Sequence, residues 1–209
     1  MKIDNALVRQ YQEQIEKHSQ KAFEGLYRLF FARLFNFSVL YVGKKEVAEE
    51  IVNDVMIRVW KNRETINGIL DLETYLFVSV RNASLNYLSQ YSKYHVVIEP
   101  ESNRAEVISM DDPERELEWK EIYFNLNKAI DELPEQCRTV FKLIKEEGFR
   151  YKQVAEILNI SPRTVETQLF RAIKKLDKVM ELYLESPRKG GQKKLPPVVL
   201  LVCAILCCI

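Results

Sequence analysis

The stretch FRYKQVAEILNISPRTVETQLFRAIKKLDK, residues 149–178, predicts two short helices separated by a tight turn. Ser161 offers a side-chain oxygen that caps the second helix, and Pro162 takes the first helical position, where proline is tolerated. Asn159 can adopt the left-handed conformation of the turn, and Ala155 is small where two helices cross closely. This combination is typical of a helix-turn-helix.

The same stretch is net basic, although the whole chain has a formal net charge of only +1. Three acidic residues oppose seven cationic side chains, which are Arg150, Lys152, Arg163, Arg171, Lys174, Lys175 and Lys178. Val165 and Leu169 are spaced to face inward and support the helix. A basic helix-turn-helix indicates a protein that binds duplex DNA.

Composition bounds the remaining possibilities. The chain has 209 residues, 47% of them hydrophobic, which suits one folded domain or two small ones. The N-terminus lacks the apolar core of a secretory signal, so we expect a cytoplasmic protein. Its four cysteines and two histidines form neither a disulfide framework nor a metal-binding pattern. No catalytic constellation is visible, so we predict no enzymatic activity, no cofactor and no metal.

Two amphipathic helices are predicted near the N-terminus, over residues 21–42 and 46–61, with Gly43 ending the first. In the second helix, Ile57 falls in the middle of the polar face. An isolated exposed isoleucine is ordinary in a folded protein. The alternative is a protein-docking face in which Ile57 is the apolar centre and Asn53 and Asp54 are its polar border.

A third helical pattern covers residues 73–94, after a predicted loop at 62–72 that contains Asn67 and Gly68. Aromatic side chains alternate there with basic and amide side chains. This mixture suits the unstacked bases of single-stranded nucleic acid, to which stacking contributes about 1–3 kcal/mol per base. The same tyrosines could instead belong to the hydrophobic core.

The sequence predicts an all-α fold of two small helical domains, the second containing the helix-turn-helix. The first covers residues 1–95 and the second covers residues 119–185. Between them, residues 96–118 form an acidic, flexible linker with Pro100 and Pro113. Such a linker is usually a tether, although a polyanionic strand could also occupy a nucleic-acid channel.

The C-terminal tail, residues 186–209, is basic and then apolar. Its last 15 residues, LPPVVLLVCAILCCI, carry no charge but fall short of the roughly 20 that a membrane-spanning helix needs. Three interpretations stay open. The tail could contact a membrane or a partner through its basic and apolar parts, it could anchor in the membrane, or it could be incidental or packed on the protein itself.

In their order, these segments resemble the extracytoplasmic-function sigma factors of the sigma-70 family. Residues 21–92 resemble conserved region 2 through AFEGLYRLFFARLFNF, VAEEIVNDVMIRVWKNRE and YLFVSVRNASLNYL. Residues 133–178 resemble region 4 through LPEQCRTVFKLIKEEGFRYKQVAEILNISPRTVETQLFRAIKKL. The resemblance implies a factor that binds core RNA polymerase, recognises the minus-35 and minus-10 promoter elements and helps to melt the DNA. The alternative is a free-standing helix-turn-helix regulator that binds an operator.

The resemblance also implies roles for particular residues. The helix containing EIVND would dock on the beta-prime coiled coil of the polymerase through Glu50, Asn53, Asp54, Ile57 and Arg58. Minus-10 recognition would involve an extruded base held by the loop 62–72, with candidate contacts from Asn62, Arg63, Arg81, Asn82, Asn86 and Tyr87. Extruding a base costs a few kcal/mol of unstacking, which the contacts must offset.

The minus-35 element would be read by the helix-turn-helix. Because recognition helices present their N-terminal residues to base edges in the major groove, the candidates are Arg163, Thr164, Glu166 and Thr167, followed one turn later by Phe170 and Arg171. Lys152, Lys174 and Lys175 are expected to bind phosphates. The resemblance further implies contact with the polymerase beta flap, inhibition by an anti-sigma factor, and a linker that threads toward the active-site and RNA-exit channel.

Overall fold

The structure is a computed structural model that describes residues 3–91 and 124–185. Within these ranges the regular structure is helical and no strand occurs, which confirms the all-α prediction. The helices are α1 (Asn5–Glu16), α2 (Gln20–Val42), α3 (Lys45–Lys61), a 3-10 helix (Arg63–Gly68), α4 (Leu72–Tyr91), α5 (124–131), α6 (Glu135–Phe141), α7 (Tyr151–Leu158) and α8 (Pro162–Glu185). The predicted linker, 96–118, and the tail, 186–209, lie outside the described residues.

The described residues form two compact units. The first comprises residues 3–91 together with Lys152–Ile160, and the second comprises residues 124–151 and 161–185. Within the first unit, Gln153 Nε2 donates hydrogen bonds to Asp71 Oδ2 at 2.8 Å and to Thr74 Oγ1 at 3.2 Å. The domain boundaries expected from the sequence stay a prediction.

The core of the first unit lies between α2, α3 and α4. Its most buried side chains have at most 1% of their surface exposed and include Leu26, Phe30, Leu34, Val52, Met56, Leu76 and Phe77. Gly43 ends α2 in the left-handed conformation (φ 68°), as the sequence predicted. Asp71 caps α4, because its carboxylate accepts from Thr74 N at 2.9 Å and from the Thr74 hydroxyl at 2.8 Å. Gly43 therefore determines where α2 ends, and Asp71 determines where α4 begins.

Helix α1 was not expected from the sequence. Asp4 caps it by accepting from Ala6 N at 2.9 Å, and Val8, Gln12 and Ile15 are its buried residues. Gly25 on α2 permits close packing, since a Cβ atom there would lie 2.7 Å from the ring of Tyr11. The hydrophobic pattern of α1 is weak because Gln12, one of its three buried residues, is polar.

The second unit has its own core, formed by side chains such as Leu133, Val140, Leu143, Leu169 and Leu176. Helix α6 follows Pro134, and the turn after it, Lys142–Glu146, widens to π geometry. Gly148 follows at φ 78°, and Phe149 N donates to Leu143 O at 3.0 Å.

Membrane-spanning helices and metal-binding clusters are both absent from the part of the chain that the structure describes. No helix within 3–91 or 124–185 is long and apolar enough to cross a membrane. No group of histidine, cysteine and acidic side chains in the same ranges could hold a metal ion.

Candidate nucleic-acid and polymerase interfaces

The start of α8 has the local structure that its sequence predicts. Ser161 Oγ accepts a hydrogen bond from Thr164 N at 3.0 Å and lies 2.8 Å from the Thr164 hydroxyl. Asn159, in the preceding turn, has φ 51°. Val165 and Leu169 are 0% and 2% exposed, so the inward face of the recognition helix is the one predicted. The opposite face of α8 is exposed and can contact a ligand.

The predicted minus-35 residues on α8 lie mostly on its exposed face. Exposed side chains are Arg163, Glu166, Thr167, Phe170, Arg171, Lys174 and Lys175, and Lys152 is exposed on α7. Thr164 is half-buried because it takes part in the cap. The Thr167 hydroxyl donates to Arg163 O at 2.9 Å and therefore offers a base mainly its acceptor capacity. Phe170 is 66% exposed, so an aromatic ring is available on this face.

A basic cleft of about 460 Å³ runs along the same helix. Its lining residues are Pro134, Gln136, Cys137, Gln168, Arg171, Lys174, Lys175 and Lys178. Gln168 links its two walls by donating to Gln136 Oε1 at 2.8 Å and accepting from the buried Cys137 thiol at 3.0 Å. Lys178 belongs to the basic stretch of the sequence but was not predicted as a DNA contact. Its position at i+7 from Arg171 could have suggested it.

Burial, reinforced by the nearby Glu166 carboxylate, raises the pKa of Tyr151. Glu166 is therefore the acidic candidate of α8 whose charge acts on Tyr151.

The predicted polymerase-binding residues share one side of α3. Glu50, Asp54, Ile57 and Arg58 are exposed, and Asn53 is half-buried. Ile57 has 49% of its surface exposed, while its neighbours Val55 and Met56 have 1% each. Arg58 Nε donates to the backbone carbonyl of Asp54 at 3.3 Å, so this bond does not involve the Asp54 carboxylate.

Helix α2 contributes to this surface in a way that the sequence did not suggest. The Tyr27 hydroxyl donates to Asn53 Oδ1 at 2.8 Å. Tyr27, Phe31 and Phe35 stack in succession, with ring centroids 5.1 and 5.9 Å apart. Burial and the nearby Glu49 carboxylate raise the pKa of Tyr27. The spacing of four residues between these rings is the signal that could have revealed the row.

The segment predicted as the loop 62–72 contains the 3-10 helix Arg63–Gly68, and α4 already begins at Leu72, so the connection is residues 62–71 and is called the loop 62–71 here. It begins with two predicted minus-10 residues in different situations. Asn62 is exposed. Arg63 is already engaged, because its Nε donates to His18 Nδ1 at 2.6 Å and its Nη1 donates to Trp60 O at 3.0 Å. The guanidinium also lies 5.1 Å from the centre of the Trp60 ring. Near the other end of the loop, Leu70 is 95% exposed.

The four candidates on α4 do not all share one face. Asn82 and Asn86 are exposed one turn apart, whereas Arg81 and Tyr87 are half-buried and each lies about 100° around the helix from its adjacent asparagine. Arg81 Nη1 donates to Asn82 Oδ1 at 3.3 Å. Tyr75, Ser79, Asn82 and Asn86 are spaced by three and four residues, so they form a line along one side of α4. Tyr75 lies at the end of this line nearest the loop and is 41% exposed. Tyr75 and Ser79 were missed as candidates, although helical spacing connects them to the asparagines.

Comparison with known protein families identifies both parts of the chain. Residues 23–94 match the family model Sigma-70 region 2, and residues 123–176 match the family model Sigma-70, region 4. Together the two models match more than half of the chain. The chain belongs to the sigma-70 family. Within that family it is an extracytoplasmic-function sigma factor, which directs promoter-specific transcription initiation by RNA polymerase. Sigma factors as a family are non-enzymatic initiation factors.

Curated relatives agree with this family. RNA polymerase sigma-H factor of Pseudomonas aeruginosa is 23% identical over 176 residues, covering 81% of this chain and 91% of that protein. ECF RNA polymerase sigma-E factor of Haemophilus influenzae is 26% identical over 176 residues, covering 81% and 90%. The sigma-70 factor described here therefore extends over nearly the whole length of these relatives.

Solved structures share the fold. The sigma factor RpoE of Bartonella quintana, crystallised with the anti-sigma factor NepR, gives a TM-score of 0.57 at 22% identity and covers 77% of this chain and 98% of that one. CnrH in complex with the cytosolic domain of CnrY gives 0.51 at 17% identity, covering 83% and 97%.

Proposed function

We propose that this sigma factor binds core RNA polymerase through the exposed side of α3 and contacts promoter DNA through α4, the loop 62–71 and α8. The observation that supports this division best is the pair of matches to region 2 and region 4 in the expected order. A free-standing operator-binding regulator is not favoured, because it would need no region 2.

Polymerase docking is assigned to Glu50, Asn53, Asp54, Ile57 and Arg58. An apolar Ile57 surrounded by charged and amide side chains has the composition of a small protein interface. The carboxylates of Glu50 and Asp54 give the surface an acidic side that would face a basic partner. The beta-prime coiled coil is the proposed partner, with the beta flap as a second polymerase contact.

Minus-10 recognition is assigned to the line of Asn82 and Asn86 together with Asn62, and we add Tyr75 and Ser79. Amide groups can hydrogen-bond to the exposed edges of unpaired bases, and an exposed tyrosine ring can stack on a base. Arg63 is bonded within the protein, so its proposed contribution is to hold the loop. Arg81 and Tyr87 stay candidates at the borders of this line.

Minus-35 recognition is assigned to the exposed face of α8. Arg163, Glu166 and Arg171 can bond to base edges, and Phe170 offers an apolar contact such as a thymine methyl group requires. Lys152, Lys174 and Lys175 would bind phosphates and determine the salt dependence. Lys178 joins this set because it lines the same basic cleft as Arg171.

Regulation by an anti-sigma factor is proposed from the Bartonella quintana sigma factor, whose crystal structure contains one. A cytoplasmic location follows from the proposed partners. Contact between the tail, 186–209, and a membrane also stays a proposal, and cell fractionation with and without these residues tests it.

Reconstitution tests the proposed function directly. Sequencing of transcripts after overexpression identifies a candidate promoter, and the purified chain is then added to core RNA polymerase and that promoter. We expect an open complex, detected by permanganate reactivity of unpaired thymines, and a specific transcript. Binding to the promoter with no effect on polymerase would instead support an operator-binding regulator.

A further inference from the structure

Helix α1 is joined to the loop 62–71 by a buried glutamine. Gln12 is 2% exposed, and its Nε2 donates to Ile66 O at 2.8 Å and to Ile69 O at 2.9 Å. A side-chain amide has two N–H donors, so both are used on carbonyls three residues apart in the loop. Gln12 therefore binds both ends of a turn that is also closed by the backbone bond from Ile69 N to Ile66 O at 3.1 Å.

Two further bonds join the same elements. Arg9 Nη1 donates to Asn67 O at 2.9 Å, and Asn67 Nδ2 donates to a carboxylate oxygen of Glu16. Arg9, Gln12 and Glu16 are spaced by three and four residues, so they lie on one side of α1. This side of α1 faces successive residues of the loop.

Helix α1 precedes the part of the chain that matches the region 2 family model. The region 2 family model begins at residue 23, after α1 has ended at Glu16. Close packing of Tyr11 against Gly25 places α1 on α2, independently of the loop. The helix therefore connects the loop to the rigid core of the unit.

We propose that Gln12 is a positioning residue for minus-10 recognition, which holds the loop 62–71 in the conformation that receives the extruded base. This inference rests on the proposed function of the loop. Loss of the Gln12 amide would remove its bond to Ile69 O and leave Ile66 O with only the backbone bond from Ile69 N, and the loop would sample other conformations. Selection among bases should then weaken, because specificity requires a fixed geometry.

The test uses the full chain with the change Gln12→Met, which keeps the side-chain length and removes both donors. Gln14→Met is the matched control, since Gln14 is an exposed glutamine of the same helix. Each protein is assembled with core polymerase and titrated with promoter fork DNA carrying each of the four bases at every minus-10 position in turn. Core polymerase affinity and binding to a minus-35 duplex are measured in parallel.

We expect Gln12→Met to reduce the preference for the best base at one minus-10 position by about fivefold to tenfold. Polymerase affinity and minus-35 binding should stay within twofold of wild type, and Gln14→Met should retain the full preference. An equal loss of binding for all four bases would show a purely structural role and overturn the inference.

Arg9→Ala provides a second variant if Gln12→Met folds poorly. It removes only the exposed donor to Asn67 O and should weaken base preference at the same position by about twofold to threefold, whereas Lys17→Ala, at another exposed cation just after α1, should not. If the base preference is unchanged in Arg9→Ala and in any Gln12→Met protein that folds, the inference is overturned but the proposed function is not. Failure of the wild-type holoenzyme to form an open complex would overturn the proposed function as well.

Discussion

The hydroxyl of Tyr27 on α2 donates a 2.8 Å hydrogen bond to the side-chain oxygen of Asn53 on α3. This bond holds Asn53 at the border of the exposed surface that contains Ile57. A residue in α2 therefore helps to determine how α3 presents its proposed polymerase-binding side.

The Tyr27→Phe change should weaken core polymerase binding while the fold persists. It removes a bond whose net worth is about 1 kcal/mol, which corresponds to roughly fivefold in affinity at most. The measurement is fluorescence anisotropy of labelled sigma factor titrated with core polymerase. Tyr75→Phe, an equivalent change on α4, should leave the affinity unchanged, and equal effects of the two changes would contradict this role for Tyr27.

The Asp54→Lys change should abolish polymerase binding without unfolding the protein. Asp54 is exposed, so its replacement disturbs no core contact, but a lysine reverses the charge beside Ile57. A pull-down with core polymerase and circular dichroism measure the two properties. Glu13→Lys, the same charge reversal at an exposed position of α1, is the control. Retention of wild-type affinity by Asp54→Lys would refute the docking assignment.

On α8, changes to the exposed and buried faces should have separable effects. Arg171→Ala should weaken minus-35 binding by about 1–3 kcal/mol if it contacts a base, with little change in melting temperature. Leu169→Ala should destabilise the fold by about 2–5 kcal/mol, because Leu169 is 2% exposed. Duplex binding and thermal unfolding separate these outcomes. An unchanged promoter profile for Arg171→Ala would remove it from the recognition surface.

Lysine contacts with phosphate should be visible in the salt dependence. Lys174→Ala should lower the slope of log affinity against log salt concentration by about 0.9 and weaken all duplex sequences alike. Binding of the specific and a scrambled duplex, measured at several salt concentrations, gives both quantities. A sequence-dependent loss would indicate that Lys174 contacts a base instead.

The contact between Gly25 and Tyr11 predicts a local effect on stability. Gly25→Ala would place a methyl group 2.7 Å from the Tyr11 ring, and overpacking of about 1–3 kcal/mol should outweigh the gain of about 1 kcal/mol in helix propensity, for a net loss of up to about 2 kcal/mol. Gly68→Ala is the control, since a Cβ atom there has no neighbour within 4 Å. Urea unfolding of both variants measures the difference. If Tyr11→Ala fails to relieve the cost of Gly25→Ala in the double variant, the cause is not this contact.

Elements with local signals could be predicted directly from the amino-acid sequence. Gly43 ends α2, Pro134 precedes α6, and Ser161 caps α8, because caps and turn residues act within a few positions of themselves. Helical periodicity likewise places Val165 and Leu169 inside the fold. The same periodicity was sufficient to predict the exposed sides of α3 and α8.

Which distant residues meet is a property of the tertiary structure. Gln12 reaches Ile66 across 54 positions of the chain, and Tyr27 reaches Asn53 across 26. Local periodicity contains no information about such pairs, because their proximity depends on how whole helices pack. The same limit explains why the family resemblance could name Arg63 as a minus-10 candidate without showing that His18, 45 positions away, accepts its hydrogen bond.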